Sequence, residues 1–169
     1  MRVVVVAGPA GAGKSTLGRA LAAEMRAALL DLDDLTNPIL DGVWSGGGHW
    51  NDPEHRAVVR PARYAVLRAA AAAQVVNGVD VVLVAPFTAE LAGGVEWAAL
   101  KAAVAPAEPF VVWIDVPLDV LSARVRERAD VRDSGTGSRP AEAPAIPHFR
   151  IDGRSSTTEM VGAVRAGMV

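Results

Sequence analysis

A run of β-branched residues, Val3-Val4-Val5-Val6, leads through Ala7 into Gly8-Pro9-Ala10-Gly11-Ala12-Gly13-Lys14-Ser15-Thr16, and no other stretch constrains the chain so tightly. The valines read as a buried strand that Gly8-Pro9 must end. Behind the glycines, Leu17 to Met25 reads as a helix. Strand, Gly-rich turn and helix is the setting in which G-x-x-x-x-G-K-[ST] holds phosphate. Glycines let the backbone curl until several N–H groups face one anion. The helix start adds the positive end of its dipole. Lys14 is placed to reach the outer phosphates, and the Ser15 hydroxyl to ligate Mg²⁺.

The rest of the chain reads as strands alternating with helices, the signature of a parallel α/β sheet. A second short apolar run, Ala28 to Leu32, ends among Asp31, Asp33 and Asp34. Asp33 or Asp34 suits the cap of a helix through Leu40, which Pro38 should limit to its first turns. Gly42 to Pro53 is a glycine-rich loop, and a helix over 54–76 follows, with a break expected at Pro61. A third strand is predicted over Val79–Phe87, a helix over Gly94–Val104 and a fourth strand over Phe110–Val116. Pro117 opens a helix with Leu118, Leu121 and Val125 on one face. Residues 129–147 turn to Asp, Gly, Ser, Pro and Ala and read as a mobile loop. A short strand at Phe149–Asp152 and a helix at Thr157–Ala166, capped by Ser155 or Ser156, close the chain.

Bulk properties narrow the partners. The 169 residues suit a single domain over 1–169, and 51% hydrophobic residues suffice for a full core. A net charge of −2 argues against a nucleic-acid surface. The absence of cysteine removes disulfides, thiolate metal sites and a thiol nucleophile. The most apolar long stretch, Tyr64 to Val76, is too short and too polar to span a membrane. The first strand begins at once, leaving no room for a cleavable leader, so a cytoplasmic protein is expected, monomeric or homodimeric.

Asp31 and Asp33 fall at the C-terminal end of a strand, the edge of an open α/β sheet where ligands bind. Two carboxylates there can divide the labour, one holding Mg²⁺ and the other taking a proton from a substrate hydroxyl. Asp34 reads as a first-turn helix carboxylate. Arg60 and Arg63 stand at i, i+3 on the helix after the tryptophan loop and suit an acceptor pocket, as does Trp50, with His49 and Asn51 beside it. Trp97 and Trp113 read as core, and His55 and His148 as isolated.

From Gly8 to Leu40 the chain resembles the P-loop small-molecule kinases, especially the shikimate kinase and gluconate kinase groups. Asp31-Leu32-Asp33 matches their Asp-x-Asp after the second strand. Asp115-Val116-Pro117 followed by the helix bearing Arg124 matches their strand, proline and arginine-bearing lid helix. The resemblance implies a three-layer P-loop fold with a five-stranded parallel sheet in the order 2-3-1-4-5 and a lid over about 129–147. It implies ATP and Mg²⁺ at Gly8 to Thr16, a metal contact from Asp31, and Asp33 as the group that meets the acceptor hydroxyl. Arg124 would lie near the adenine, and Arg128 and Arg132, with Arg139 as a third, would supply lid charge. The chain departs from the shikimate kinases at the end of strand three, where Ala85-Pro86-Phe87 stands in place of Gly-Gly-Gly. Asp115 ends a Walker-B-like run but on the wrong strand for a usual metal contact. The implied activity is transfer of the γ-phosphoryl of ATP to a hydroxyl of a sugar acid, carbohydrate, antibiotic or similar small molecule. A regulatory ATPase without a small acceptor and a nucleoside or nucleotide kinase are the alternatives.

Overall fold

The computed structural model describes residues 1–43, 53–128 and 142–168, with the backbone alone at 54–56 and 125–128. Strands β1 (Val3–Ala7), β2 (Ala28–Asp31), β3 (Val81–Val84), β4 (Pro109–Asp115) and β5 (Phe149–Asp152) form one parallel sheet ordered β2-β3-β1-β4-β5. This is the order that the resemblance implied. Helices α1 (Lys14–Met25), α2 (Leu32–Val43), α3 (Pro53–Val76), α4 (Gly94–Val104), α5 (Leu118–Arg128) and α6 (Thr157–Gly167) cover both faces.

Period-two alternation explains why β1 is apolar throughout. Val3, Val5 and Ala7 join Leu67 of α3 and Leu100 of α4 on one face. Val4 and Val6 join Leu17 and Leu21 of α1 and Val164 of α6 on the other. A strand covered on both sides needs no polar positions. Each buried valine contributes on the order of 1.5–3 kcal/mol relative to exposure. Trp113 lies in the first of these cores and Trp97 packs half-buried against it, as expected. No helix among the described residues is long and apolar enough to cross a membrane.

Several boundaries differ from the sequence reading. β3 is shorter than predicted and runs only from Val81 to Val84; just before it, the Asp80 carboxylate accepts the Arg2 backbone N–H at 2.6 Å. The helix after β2 begins at Leu32, and Asp33 and Asp34 are its first-turn carboxylates. The carboxylate that caps it is Asp31, whose Oδ1 accepts the Asp33 N–H at 3.0 Å. Pro38 and Pro61 lie inside α2 and α3, neither of which ends there. Both prolines are exposed, so each carbonyl deprived of its N–H partner can turn to water. Leu118 is not on the buried face of α5: it is 42% exposed, whereas Leu121 is buried. The end of the expected mobile loop is anchored, since Ile146 enters the core and the Ala145 N–H donates to the Leu91 carbonyl at 2.9 Å. Ser156 caps α6 in a reciprocal capping box with Glu159.

The turn after β3 is held from below. Phe87 is fully buried and adopts a left-handed backbone with φ 51°, a conformation costly for an aromatic residue. Its N–H donates to the Tyr64 hydroxyl at 3.0 Å, and the two rings meet edge to face at 5.7 Å. Burial, helped by the nearby Glu90 carboxylate, pushes the Tyr64 phenol up to about 12, so it stays protonated in neutral solution. Tyr64→Phe is expected to cost about 1–3 kcal/mol, because it orphans a buried N–H while leaving the apolar packing in place. Urea unfolding would read this as a lower midpoint at unchanged slope. An unchanged midpoint would mean that the turn is held without the phenol.

Candidate active site

The loop from Gly8 to Thr16 joins β1 to α1 at the C-terminal edge of the sheet. Gly13 precedes α1 at φ 94°, ψ 18°, a left-handed conformation that a side chain would resist. No side chain caps this helix. Its first i→i−4 bond runs from the Leu17 N–H to the Gly13 carbonyl at 3.0 Å. The N–H groups of Lys14, Ser15 and Thr16 therefore precede the ladder and are available to an anion. Lys14 Nζ, half-buried, donates to the Pro9 carbonyl at 2.8 Å, so its ammonium lies across the loop.

A cavity of about 380 Å³ opens beside this loop. Gly11, Gly13 and Thr16 line one side, Arg124 of α5 another, the turn from β5 into α6 supplies Gly153 and Ser155, and α6 supplies Met160. Arg124 Nη2 donates to the Gly153 carbonyl at 3.0 Å. Gly153 is required there, because a Cβ would lie 2.3 Å from Val116 Cγ2 and 2.8 Å from Ile114 Cγ2. On either side of it, Arg154 donates to both oxygens of Asp152 and holds that carboxyl down to about 2. Arg124 thus borders the cavity with its side chain tied to the β5–α6 turn. The β5–α6 residues were missed by sequence reasoning; their place just past a strand's C-terminal end was the one available signal.

Across β3 from the loop lies a second cluster. Arg63 of α3 donates from Nε to Thr36 Oγ1 at 2.7 Å, from Nη2 to Asn37 Oδ1 at 3.1 Å, and pairs with the Asp33 carboxylate. Its side chain is 16% exposed, whereas that of Asp33 is 67% exposed. Asp33 thus faces solvent while anchored from behind. One turn earlier, Arg60 stacks 4.5 Å over the Tyr64 ring and donates to Thr88 Oγ1 at 3.3 Å and Glu90 Oε2 at 3.4 Å. Thr36, Asn37, Tyr64 and Glu90 were not singled out in the sequence. Polar residues on amphipathic helices carry no signal until the partner helix is in place.

The remaining predicted residues sort as follows. Asp115 pairs with Arg150 and Asp34 with Arg19 at 3.0 Å. His148 Nδ1 lies 2.9 Å from the Ile146 carbonyl. Trp44, His49, Trp50, Asn51, Arg132 and Arg139 lie outside the described residues, and Arg128 is described only as the last backbone position of α5. Among the described residues no group of three or more His, Cys, Asp or Glu side chains could hold a metal unaided. The Ser15 hydroxyl and the buried Asp31 carboxylate are both hard oxygen donors. Each is a donor of the kind that fits Mg²⁺, which takes one or two protein oxygens and completes its shell with phosphate and water.

A family model described as an AAA domain (AAA_33) matches residues 3–143. No curated protein matches the chain significantly. Among solved structures, a candidate kinase from Chloroflexus aurantiacus superimposes with a TM-score of 0.75 at 21% identity, covering 99% of this chain and 95% of its own. The APS kinase of Mycobacterium tuberculosis, solved with AMPPNP and APS, gives 0.69 at 19% identity, with 99% and 96% covered. A gluconokinase from Sinorhizobium meliloti gives 0.64 at 20% identity, with 99% and 90% covered. At such identities the likeness establishes a common fold.

Proposed function

We propose a function for a chain that belongs to the AAA domain family and has the fold of the P-loop small-molecule kinases: it moves the γ-phosphoryl of ATP to a hydroxyl of a small molecule. One observation carries this reading. The phosphate loop after β1 and an anchored, solvent-facing carboxylate, Asp33, stand on the same C-terminal sheet edge.

In this reading the N–H groups at the start of α1 cradle the triphosphate and Arg124 borders its base. Lys14 leaves the Pro9 carbonyl for phosphate oxygens and meets the charge that develops in transfer. Ser15 and Asp31 would hold Mg²⁺, which when bound neutralises phosphate charge. Asp33, oriented by Arg63, accepts the proton of the acceptor hydroxyl and aims its oxygen in line with the transferred group. Arg128, at the end of α5, or Arg132, in the segment after it, supplies further positive charge. Arg60, Arg63 and Trp50 border the acceptor. The acceptor is a hydroxylated metabolite such as a sugar acid or carbohydrate, or an antibiotic, and the protein is a cytoplasmic monomer or homodimer of one domain.

The test is ADP release across a panel of hydroxylated metabolites. Slow hydrolysis of ATP alone, accelerated at least about 100-fold by a compound that emerges phosphorylated, is the expected result. Hydrolysis that no compound accelerates would overturn the reading.

A further inference from the structure

Arg60 and Arg63 project from one face of α3 toward the acceptor side, and each is already matched by a carboxylate. Arg63 spends its fork on Thr36, Asn37 and Asp33, all on α2. Arg60 is held by Tyr64 beneath it and by Thr88 and Glu90 at its Nη2. Glu90 is the telling residue. It sits in a single 3-10 turn at Glu90–Ala92 with its side chain 2% exposed. A carboxylate so buried depends on its cation, because an uncompensated charge there has lost its water and gained nothing in return. Arg60 is 39% exposed, so a substrate anion could reach it only in a setting where ion pairs return little. Leaving Glu90 for such an anion is a losing exchange. A charged acceptor would also bring a further negative charge beside Asp33 and the triphosphate.

We propose that Glu90, by holding Arg60, sets the acceptor class: the site selects an uncharged hydroxyl compound over one bearing a carboxylate or phosphate. The proposal rests on the phosphotransfer reading above and narrows it, excluding the sugar acids.

The experiment measures kcat/KM for ADP release with hydroxy acids, each tested beside its own uncharged amide, gluconate against gluconamide among them. The wild-type protein should favour the amide at least about tenfold. Glu90→Gln keeps the shape and frees Arg60, and should shift the acid-to-amide ratio about tenfold or more toward the acid. The double variant Arg60→Gln/Glu90→Gln removes both charges and should return the preference to the amide. A wild-type preference for the acid, or a ratio that Glu90→Gln leaves unmoved, overturns the proposal while the kinase reading stands. If Glu90→Gln fails to fold, the wild-type ratio and the double variant still decide. Silence from both members of every pair overturns the kinase reading, and the proposal falls with it.

Discussion

Lys14→Met is expected to lower ATP turnover by about 10²–10³-fold, the scale seen when one preorganised donor to developing charge is removed. The physical reason lies in where the ammonium sits. Half-buried against its own loop, Lys14 donates to the Pro9 carbonyl at 2.8 Å. Exchanging that carbonyl for phosphate oxygens requires little more than rotation of a flexible stem. Methionine keeps the stem and loses the charge. Losing the bond to the Pro9 carbonyl should cost about 0.5–1.5 kcal/mol of stability. Coupled measurement of ADP release, with thermal unfolding as the control, checks both halves. Turnover within about threefold of wild type would remove Lys14 from the chemistry, since a charge-stabilising contact is worth far more than that.

Asp33→Asn should separate the two halves of the reaction. Acceptor-dependent turnover should fall by about 10²–10⁴-fold, the usual worth of a positioned acid or base. Hydrolysis of ATP in the absence of acceptor should persist, because Asp33 stands after β2 and not in the phosphate loop. The fold should tolerate the change. The asparagine side-chain oxygen can still accept from Arg63, and Arg63 keeps its bonds to Thr36 and Asn37. Asp33 is two-thirds exposed, so the lost ion pair should cost on the order of 0–1 kcal/mol. Comparison of acceptor-driven and acceptor-free rates in the same preparation supplies the measurement. Equal loss of both rates would place Asp33 in nucleotide binding.

The two halves of the site differ in how they were written into the chain. Each part of the phosphate loop lies within nine consecutive residues, and its conformation follows from glycine and from the start of a helix. Such a feature can be read without knowing any neighbour. The proposed acceptor side draws on α2, α3 and the turn after β3. Arg60 and Arg63 stood out as a spaced pair, but their meaning depended on partners 26 to 30 residues away in sequence. Asp31 shows how local reading went astray. Capping was expected from Asp33 or Asp34, yet the helix starts earlier, because β2 ends at Asp31 and that carboxylate takes the first-turn N–H itself.

By itself the sequence determined the alternation of strands and helices, the buried β1, and the donor loop at its end, because period, glycine placement and helix starts are local physics. It also brought out the two aspartates that lead into α2. Only the tertiary structure decided which arginine answers which carboxylate, that Tyr64 supports a left-handed Phe87, and that Glu90 is buried against Arg60. Those pairings cross between helices and the sheet edge. An ion pair's worth depends on burial, and burial exists only once the layers have closed on one another.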